Sequence, residues 1–406
     1  MNVHITLLGK ELLPLYYPVK QYKPEIVYII GTKQNKEQTK RLVGLLTQKQ
    51  EGVLAEEIPH LKKVSFIETD AYDFEATYRA CMKIHENHSD LSSDSFMYNL
   101  TGGTKIMALA AFAVASDRGS KAIYTDSASI KIISKEQVKD IPLDCRLILH
   151  EIVALQGQKL LEAVKYDRQS KVQEVAAAQE ICNFIRNRRD VYNYIRQWLD
   201  NYQWENGDTI PNHFACRGVR DVFVFHCGQR NKSGYRTLTI TNNDREVLLK
   251  ISCEDPKALL LRGMWWEVLV ADSISSVSKE YVVWQNVKFK QVKDPEGNMV
   301  KNEIDILVNI GNKLLFVECK SGKFDSANLH KCRTVKSTYG GEKSKVILVS
   351  AAPADSIDSK SLLHENASDN SVSIISPSPK QGYAADVFLS RSLPDKVREI
   401  INALPL

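Results

Sequence analysis

The residues best equipped for chemistry lie between Lys301 and Phe324, in the run K-N-E-I-D-I-L-V-N-I-G-N-K-L-L-F-V-E-C-K-S-G-K-F. Glu303 and Asp305 alternate with Ile304 and Ile306, which predicts a strand carrying both carboxylates on one face. Ile310-Gly311-Asn312 predicts a tight turn, because Gly and Asn tolerate positive φ. Leu314 to Val317 then reads as a buried strand that ends in Glu318-Cys319-Lys320, with Glu318 and Lys320 on one face. An apolar hairpin that gathers two carboxylates and an ammonium must offset the cost of burying them. A divalent cation does this, since carboxylate oxygens suit Mg²⁺ or Mn²⁺. A lysine beside such a cation orients an attacking water or steadies the charge developing on a phosphate. An E-x-K triplet alone also fits a salt-bridged sheet rim. The two strands, the turn between them and the apolar approach to Glu318 favour the site.

Upstream, Gly263-Met264-Trp265-Trp266-Glu267-Val268-Leu269-Val270 is an apolar helical segment interrupted by one acid. Glu267 reads either as a further carboxylate of the site or as an ordinary solvated helix residue. Downstream, Ser326 to Tyr339 reads as a helix, broken by Gly340-Gly341, and Lys345 to Ser350 as a strand. Lys336 on that helix reads as a surface lysine or a phosphate contact. The pattern Asp305…Glu318-Cys319-Lys320, with N-E-h-D leading in, resembles the PD-(D/E)xK nuclease motif. That resemblance implies a restriction-endonuclease-like α/β domain with Glu267, Asp305, Glu318 and Lys320 as catalytic residues. It further implies Mn²⁺ or Mg²⁺ held by Asp305, Glu318 and the Cys319 main-chain carbonyl, with Glu267 as an additional ligand.

The front of the chain has another character. Val3 to Leu8, Ile26 to Ile30, Val64 to Thr69 and Ser95 to Leu100 read as strands, alternating with helical segments at Lys36 to Gln50, Phe74 to His88 and Lys105 to Ser116. That alternation predicts an open, mostly parallel sheet of Rossmann type. The loop Asn99-Leu100-Thr101-Gly102-Gly103-Thr104-Lys105-Ile106-Met107 sits at a strand-to-helix switch. Its glycines permit close backbone approach, and the free amides of a helix start suit an anion. It is neither a P-loop nor G-x-G-x-x-G, and a capped tight turn is the plain alternative.

Strand, T-G-G-T-K and small-residue helix are together similar to the CARF domain of CRISPR-associated proteins, as are the strand ends at Gly9 and at Gly31-Thr32-Lys33-Gln34. That resemblance implies a homodimer binding a cyclic oligoadenylate, cyclic tetra-adenylate in particular, as allosteric activator. The implied ligand-binding residues are Gly9, Thr32, Lys33, Gln34, Asn99, Thr101, Gly102, Gly103, Thr104, Lys105 and Met107. CARF followed by PD-(D/E)xK looks like an ancillary nuclease of type III CRISPR antiviral defence, cutting DNA or RNA, with single strands the expected substrate. Two other functions stay open: a non-catalytic sensor, and an ungated repair or restriction nuclease.

With 406 residues, several domains are expected. The divisions fall at 1–146 for the sensor, 147–254 for a helical linker with a small β-rich insert, and 255–406 for the nuclease. A net charge of +5 excludes a polycation, so nucleic-acid contacts must be local. Eight cysteines without C-x-x-C, and no apolar run of membrane-spanning length, suggest free thiols in a reducing cytoplasm. His213, Cys216, His226 and Cys227 match no trusted zinc spacing and are expected simply to be buried. In the linker, Leu160 to Lys165 and Ser170 to Trp198 read as helical. Arg186, Arg188, Arg189 and Arg196 there, with Tyr192, Tyr194 and Trp198, suit either a nucleic-acid surface or a domain-joining helix.

Overall fold

The computed structural model describes residues 1–47, 58–126, 129–133, 137–201, 211–217, 222–290, 300–310, 313–322, 326–340, 344–353, 372–378, 380–384 and 386–403. The N-terminal unit comprises strands β1 (Val3–Leu7), β2 (Ile26–Gly31), β3 (Lys63–Glu68), β4 (Phe96–Asn99), β5 (Lys121–Thr125), β6 (Ser129–Ile133) and β7 (Val138–Pro142). They form one sheet in the order β3-β2-β1-β4-β5-β6-β7. The first five are parallel and the last two antiparallel. Every residue of β1 and β2 is buried, as strands covered on both faces should be. The helices of this unit are α1 (Leu13–Tyr22), α2 (Lys36–Thr47), α3 (Phe74–Glu86) and α4 (Lys105–Arg118). Because β1 lies between β2 and β4, the strand order reverses there, and a crevice opens at the carboxyl ends of β1 and β4.

Helix α5 (Leu149–Leu155) leads out of the N-terminal unit, followed by β8 (Leu160–Lys165). This segment was expected to be helical, and Leu, Glu, Ala and Lys do favour helices. It is instead an edge strand, antiparallel to β13 (Val282–Lys290). Cross-strand partners override propensity here: Lys288 Nζ meets Glu162 Oε2 at 2.7 Å, and Lys290 N–H donates to the Lys159 carbonyl at 3.0 Å. The next expected helix is two, α6 (Val172–Asn187) and α7 (Arg189–Asn201), separated at Arg188, whose backbone leaves the helical region. A four-stranded antiparallel sheet of β9 (His213–Arg217), β10 (Val222–Cys227), β11 (Arg236–Thr241) and β12 (Val247–Cys253) follows.

The C-terminal unit begins with α8 (Pro256–Leu261) and α9 (Met264–Ser275). After β13 come β14 (Val300–Asn309), β15 (Leu314–Lys320), α10 (Ser326–Val335), β16 (Ser344–Ser350), β17 (Val372–Ile375) and α11 (Leu393–Asn402). The sheet order is β17-β16-β15-β14-β13-β8. The expected turn at Gly311-Asn312 lies outside the described residues. One face of this sheet packs under α9, with Trp265 and Trp266 fully buried, in a core that also takes in α6 and the four-stranded sheet. The other face shares its core with the N-terminal unit: Phe289, Phe316, Leu329 and Val335 cluster with Leu15 of α1, Leu42 of α2 and Ile152 of α5. A buried ion pair, Lys20 Nζ to Glu151 Oε1 at 3.0 Å, ties α1 to α5, and Tyr16 OH donates to the same oxygen at 2.8 Å. No helix among the described residues is long and apolar enough to cross a membrane.

Candidate functional site

The β14–β15 ladder runs from Asn309–Leu314 up to Ile306–Val317 and stops there. The next pair would be Asp305 opposite Glu318. On the other side of β14, Gln285 pairs with Ile306 and Val287 with Ile304, while Asn286 between them sits at φ +51°. The sheet is therefore irregular at Asp305, a common arrangement where a side chain must be re-aimed toward a site. Asp305 replaces the missing ladder bond itself: Cys319 N–H donates to its Oδ2 at 2.6 Å. Glu303, expected on the same face, is exposed.

Glu318 is 1% exposed and bound by two lysines. Lys320 Nζ donates to Oε1 at 2.9 Å. Lys331 Nζ, from α10, donates to Oε1 at 3.0 Å and Oε2 at 3.1 Å. Glu267 enters from α9, and among the described residues it has no hydrogen-bond partner. Burial, reinforced by the Asp305 and Glu318 charges, pushes the Glu267 carboxyl up to about 8. Burial and the Glu318 charge likewise raise Asp305 to about 6, against the pull of the Cys319 amide. Burial opposes the Lys320 ammonium, but Glu318 beside it more than offsets this and leaves its pKa raised. Burial also holds the Cys319 thiol well above its ordinary value, so Cys319 contributes main chain rather than thiolate.

The structure thus gathers Glu267, Asp305, Glu318 and Lys320 around the end of one ladder. The carboxylates repel one another electrostatically, which is the condition a divalent cation relieves, and their hard oxygens suit Mg²⁺ or Mn²⁺. Among the described residues no three His, Cys, Asp or Glu side chains are already closed around one point. Lysine ammoniums hold Glu318 instead. Lys331 was missed in the sequence. Its signal was the register of α10, where Leu329, Cys332 and Val335 face the core and leave Lys331 beside the strand end. Lys336 lies beyond the end of α10.

At the N-terminal crevice the loops after β1 and β4 touch. A Cβ at Gly9 would meet Gly102 Cα at 3.2 Å, and one at Gly102 would collide with the Leu7 carbonyl. Gly103 has φ +73°. Loop packing by itself leaves no room for a side chain at Gly102. Asn99 is fully buried: its Nδ2 donates to the Pro14 carbonyl at 3.1 Å and its Oδ1 accepts from Thr101 Oγ1 at 2.6 Å. Thr101 Oγ1 accepts from Thr125 N–H at 2.7 Å. Thr104 caps α4, accepting from Met107 N–H at 3.2 Å, and its hydroxyl donates to the Ala71 carbonyl. Met107 turns into the core, and Thr32 is buried in a capping box with Asn35. Asn99, Thr32 and Met107 are thus buried, with contacts inside the fold. Lys33, Gln34, Gly103 and Lys105 are exposed at the crevice rim, with Lys33 Nζ 3.7 Å from Glu68.

Three of the four linker arginines have partners within the fold, and Arg188 is exposed. Arg186 makes a bidentate pair with Asp386 at 2.9 and 3.1 Å. Arg196 donates to the Leu261 carbonyl at 2.5 Å, and Arg189 lies over the Tyr383 ring. Trp198 stacks on Phe214. Cys216 and Cys227 face the core, as expected, whereas His213 and His226, expected to be buried, are exposed with their ring centroids 5.9 Å apart.

A Card1-like endonuclease domain family matches residues 253–384. That match spans most of the C-terminal unit, from the start of α8 to the segment before α11. Residues 2–129 match a family described as HFX_2341_N-like, N-terminal. Among solved structures, Can2 from Sulfobacillus thermosulfidooxidans in complex with cyclic tetra-adenylate is similar over 99% of this chain and 100% of its own, at TM-score 0.64 and 20% identity. VC1899 from Vibrio cholerae matches at TM-score 0.64 and 15% identity, covering 99% of this chain and 98% of its own. A type III CRISPR defence DNA nuclease activated by cyclic oligoadenylate matches at TM-score 0.56 and 14% identity, covering 99% of this chain but 52% of its own. No curated protein matches. A Rossmann-like front unit followed by a unit that matches the Card1-like endonuclease model is the same order of folds along the whole length of Can2 and VC1899.

Proposed function

We propose that this protein is a divalent-metal-dependent PD-(D/E)xK nuclease whose activity is switched on by a cyclic oligoadenylate, cyclic tetra-adenylate foremost, in type III CRISPR defence. The observation that carries the catalytic half is the convergence of Asp305, Glu318, Lys320 and Glu267 within the Card1-like endonuclease domain. Bound Mn²⁺ or Mg²⁺ would lower the pKa of a water and shield the scissile phosphate. Asp305, Glu318 and the Cys319 carbonyl would hold it, with Glu267 as an added ligand. Lys320, kept charged by Glu318, orients the nucleophile and faces the developing phosphate charge. Asp305 keeps the two strand ends in register through the Cys319 amide. DNA or RNA single strands are the proposed substrate.

The sensory half rests on the crevice at the β1–β4 switch. The α4 helix start, with Gly103, Lys105 and the nearby Lys33, offers amides and cations to phosphates. A second copy of the chain would supply the matching loops, since a ring of four nucleotides has approximate two-fold symmetry. Support for the ligand comes from Can2, whose structure contains cyclic tetra-adenylate. The test of the catalytic half is cleavage of labelled single-stranded DNA and RNA in Mn²⁺ and saturating cyclic tetra-adenylate by wild type, Glu318→Gln and Lys320→Met. Both variants should be inactive while still folded. Near-normal turnover in both would remove the proposed active site.

A further inference from the structure

We propose that Lys331 is a displaceable counter-ion for Glu318: it neutralises this buried carboxylate in the metal-free protein, leaves it when a divalent cation binds, and is then free to contact the substrate phosphate backbone. The proposal rests on the metal-site reading above. Three observations lead to it. Glu318 is 1% exposed, and an ion so buried is tolerated only with close partners. Lys331 bonds both of its oxygens, at 3.0 and 3.1 Å, and so occupies the lone pairs through which Glu318 would coordinate a cation. Lys320, the motif lysine, touches Oε1 alone.

The two lysines also differ in how they are held. Lys320 extends from β15, whose main chain is fixed by pairing to β16. Lys331 comes from α10, a different element, and its side chain is 39% exposed against 26% for Lys320. Its stem bridges the buried site and solvent, so the ammonium can turn from Glu318 to an incoming phosphate by side-chain rotation alone. The buried residues of α10, Leu329, Cys332 and Val335, lie in the core shared with sensor helices α1, α2 and α5. The helix itself therefore stays anchored while its lysine moves.

The test uses the full-length protein and Mn²⁺ as probe, with wild type, Lys331→Met and Glu318→Gln compared by calorimetry at one pH. Lys331→Met removes the competing cation, so Mn²⁺ should bind several-fold more tightly. Its metal-free melting temperature should fall, and Mn²⁺ should raise it by more than in wild type. Cleavage at saturating Mn²⁺ and cyclic tetra-adenylate should drop roughly tenfold through loss of the phosphate contact. A lysine with a purely structural role would weaken metal binding and activity together. Unchanged or weaker Mn²⁺ binding in Lys331→Met overturns the proposal, as does wild-type cleavage at saturating Mn²⁺ and cyclic tetra-adenylate. Equal Mn²⁺ affinity in wild type and Glu318→Gln would overturn the metal-site reading itself, and this proposal with it. Lys331→Gln, which keeps a donor without the charge, is the second variant should Lys331→Met fold poorly, and the same gain in affinity is expected.

Discussion

Titration of the site carboxyls provides a test at the residue scale. Glu267 rises from 4.5 to about 8, and Asp305 from 3.8 to about 6. A carboxyl whose folded pKa is raised binds more protons in the native state than in the unfolded one. Its burial therefore costs nothing below the unfolded value and destabilises progressively as pH climbs through the folded value. The metal-free protein should lose thermal stability between pH 5 and pH 8.5, measured as melting temperature. Mn²⁺ favours the deprotonated ligands, so its stabilising shift should be larger at pH 8.5 than at pH 6. A metal-free melting temperature that does not change across this range would refute the clustering of these carboxyls. Glu267→Gln should flatten the upper part of the profile and reduce cleavage less than Glu318→Gln does. Lys331 was legible only through the register of α10, whose apolar Leu329, Cys332 and Val335 set which lysine flanks the strand end.

Local patterns stated most of the element-scale fold. The strand alternation, the T-G-G-T-K helix start and the apolar approach to Glu318 correspond to β1–β4, α4 and β15. What was misread depended on partners distant in sequence. Leu160 to Lys165 has helix-forming residues, but β13 needed an edge strand and Glu162 found Lys288. The arginines near Arg186 looked equally suited to nucleic acid, until Asp386, Tyr383 and the Leu261 carbonyl were placed against them. Arg186→Ala should lower stability by about 1 kcal/mol or less, since Asp386 remains well exposed, and should leave cleavage intact. A large loss of nucleic-acid affinity without loss of stability would restore the surface reading. Gly102→Ala places a methyl against the Leu7 carbonyl. It should destabilise the protein by about 1–3 kcal/mol even without ligand. An unaltered melting temperature would show that the loop relaxes, and would return the glycine to a ligand-contact role.

Across the whole molecule, the notable feature is the core that α1, α2 and α5 share with β14, β15 and α10. The N-terminal and C-terminal units are not joined by a loose tether. A change in how the sensor helices pack must be felt by the sheet face that carries Glu318 and by the helix that carries Lys331. Any ligand that prefers one arrangement of the sensor would shift the site by its difference in affinity between the two states. Lys105→Ala should weaken cyclic tetra-adenylate binding roughly tenfold, if it supplies one charge-assisted contact, and should move the activation midpoint equally. The most direct measurement is the cleavage rate of labelled single-stranded DNA and RNA as cyclic tetra-adenylate is titrated in Mn²⁺, for wild type, Lys105→Ala and Glu318→Gln. The account predicts negligible cleavage without the activator, a saturable rise in wild type, the same rise at higher concentration in Lys105→Ala, and none in Glu318→Gln. Full cleavage without cyclic tetra-adenylate, at a rate the ligand does not change, would contradict it.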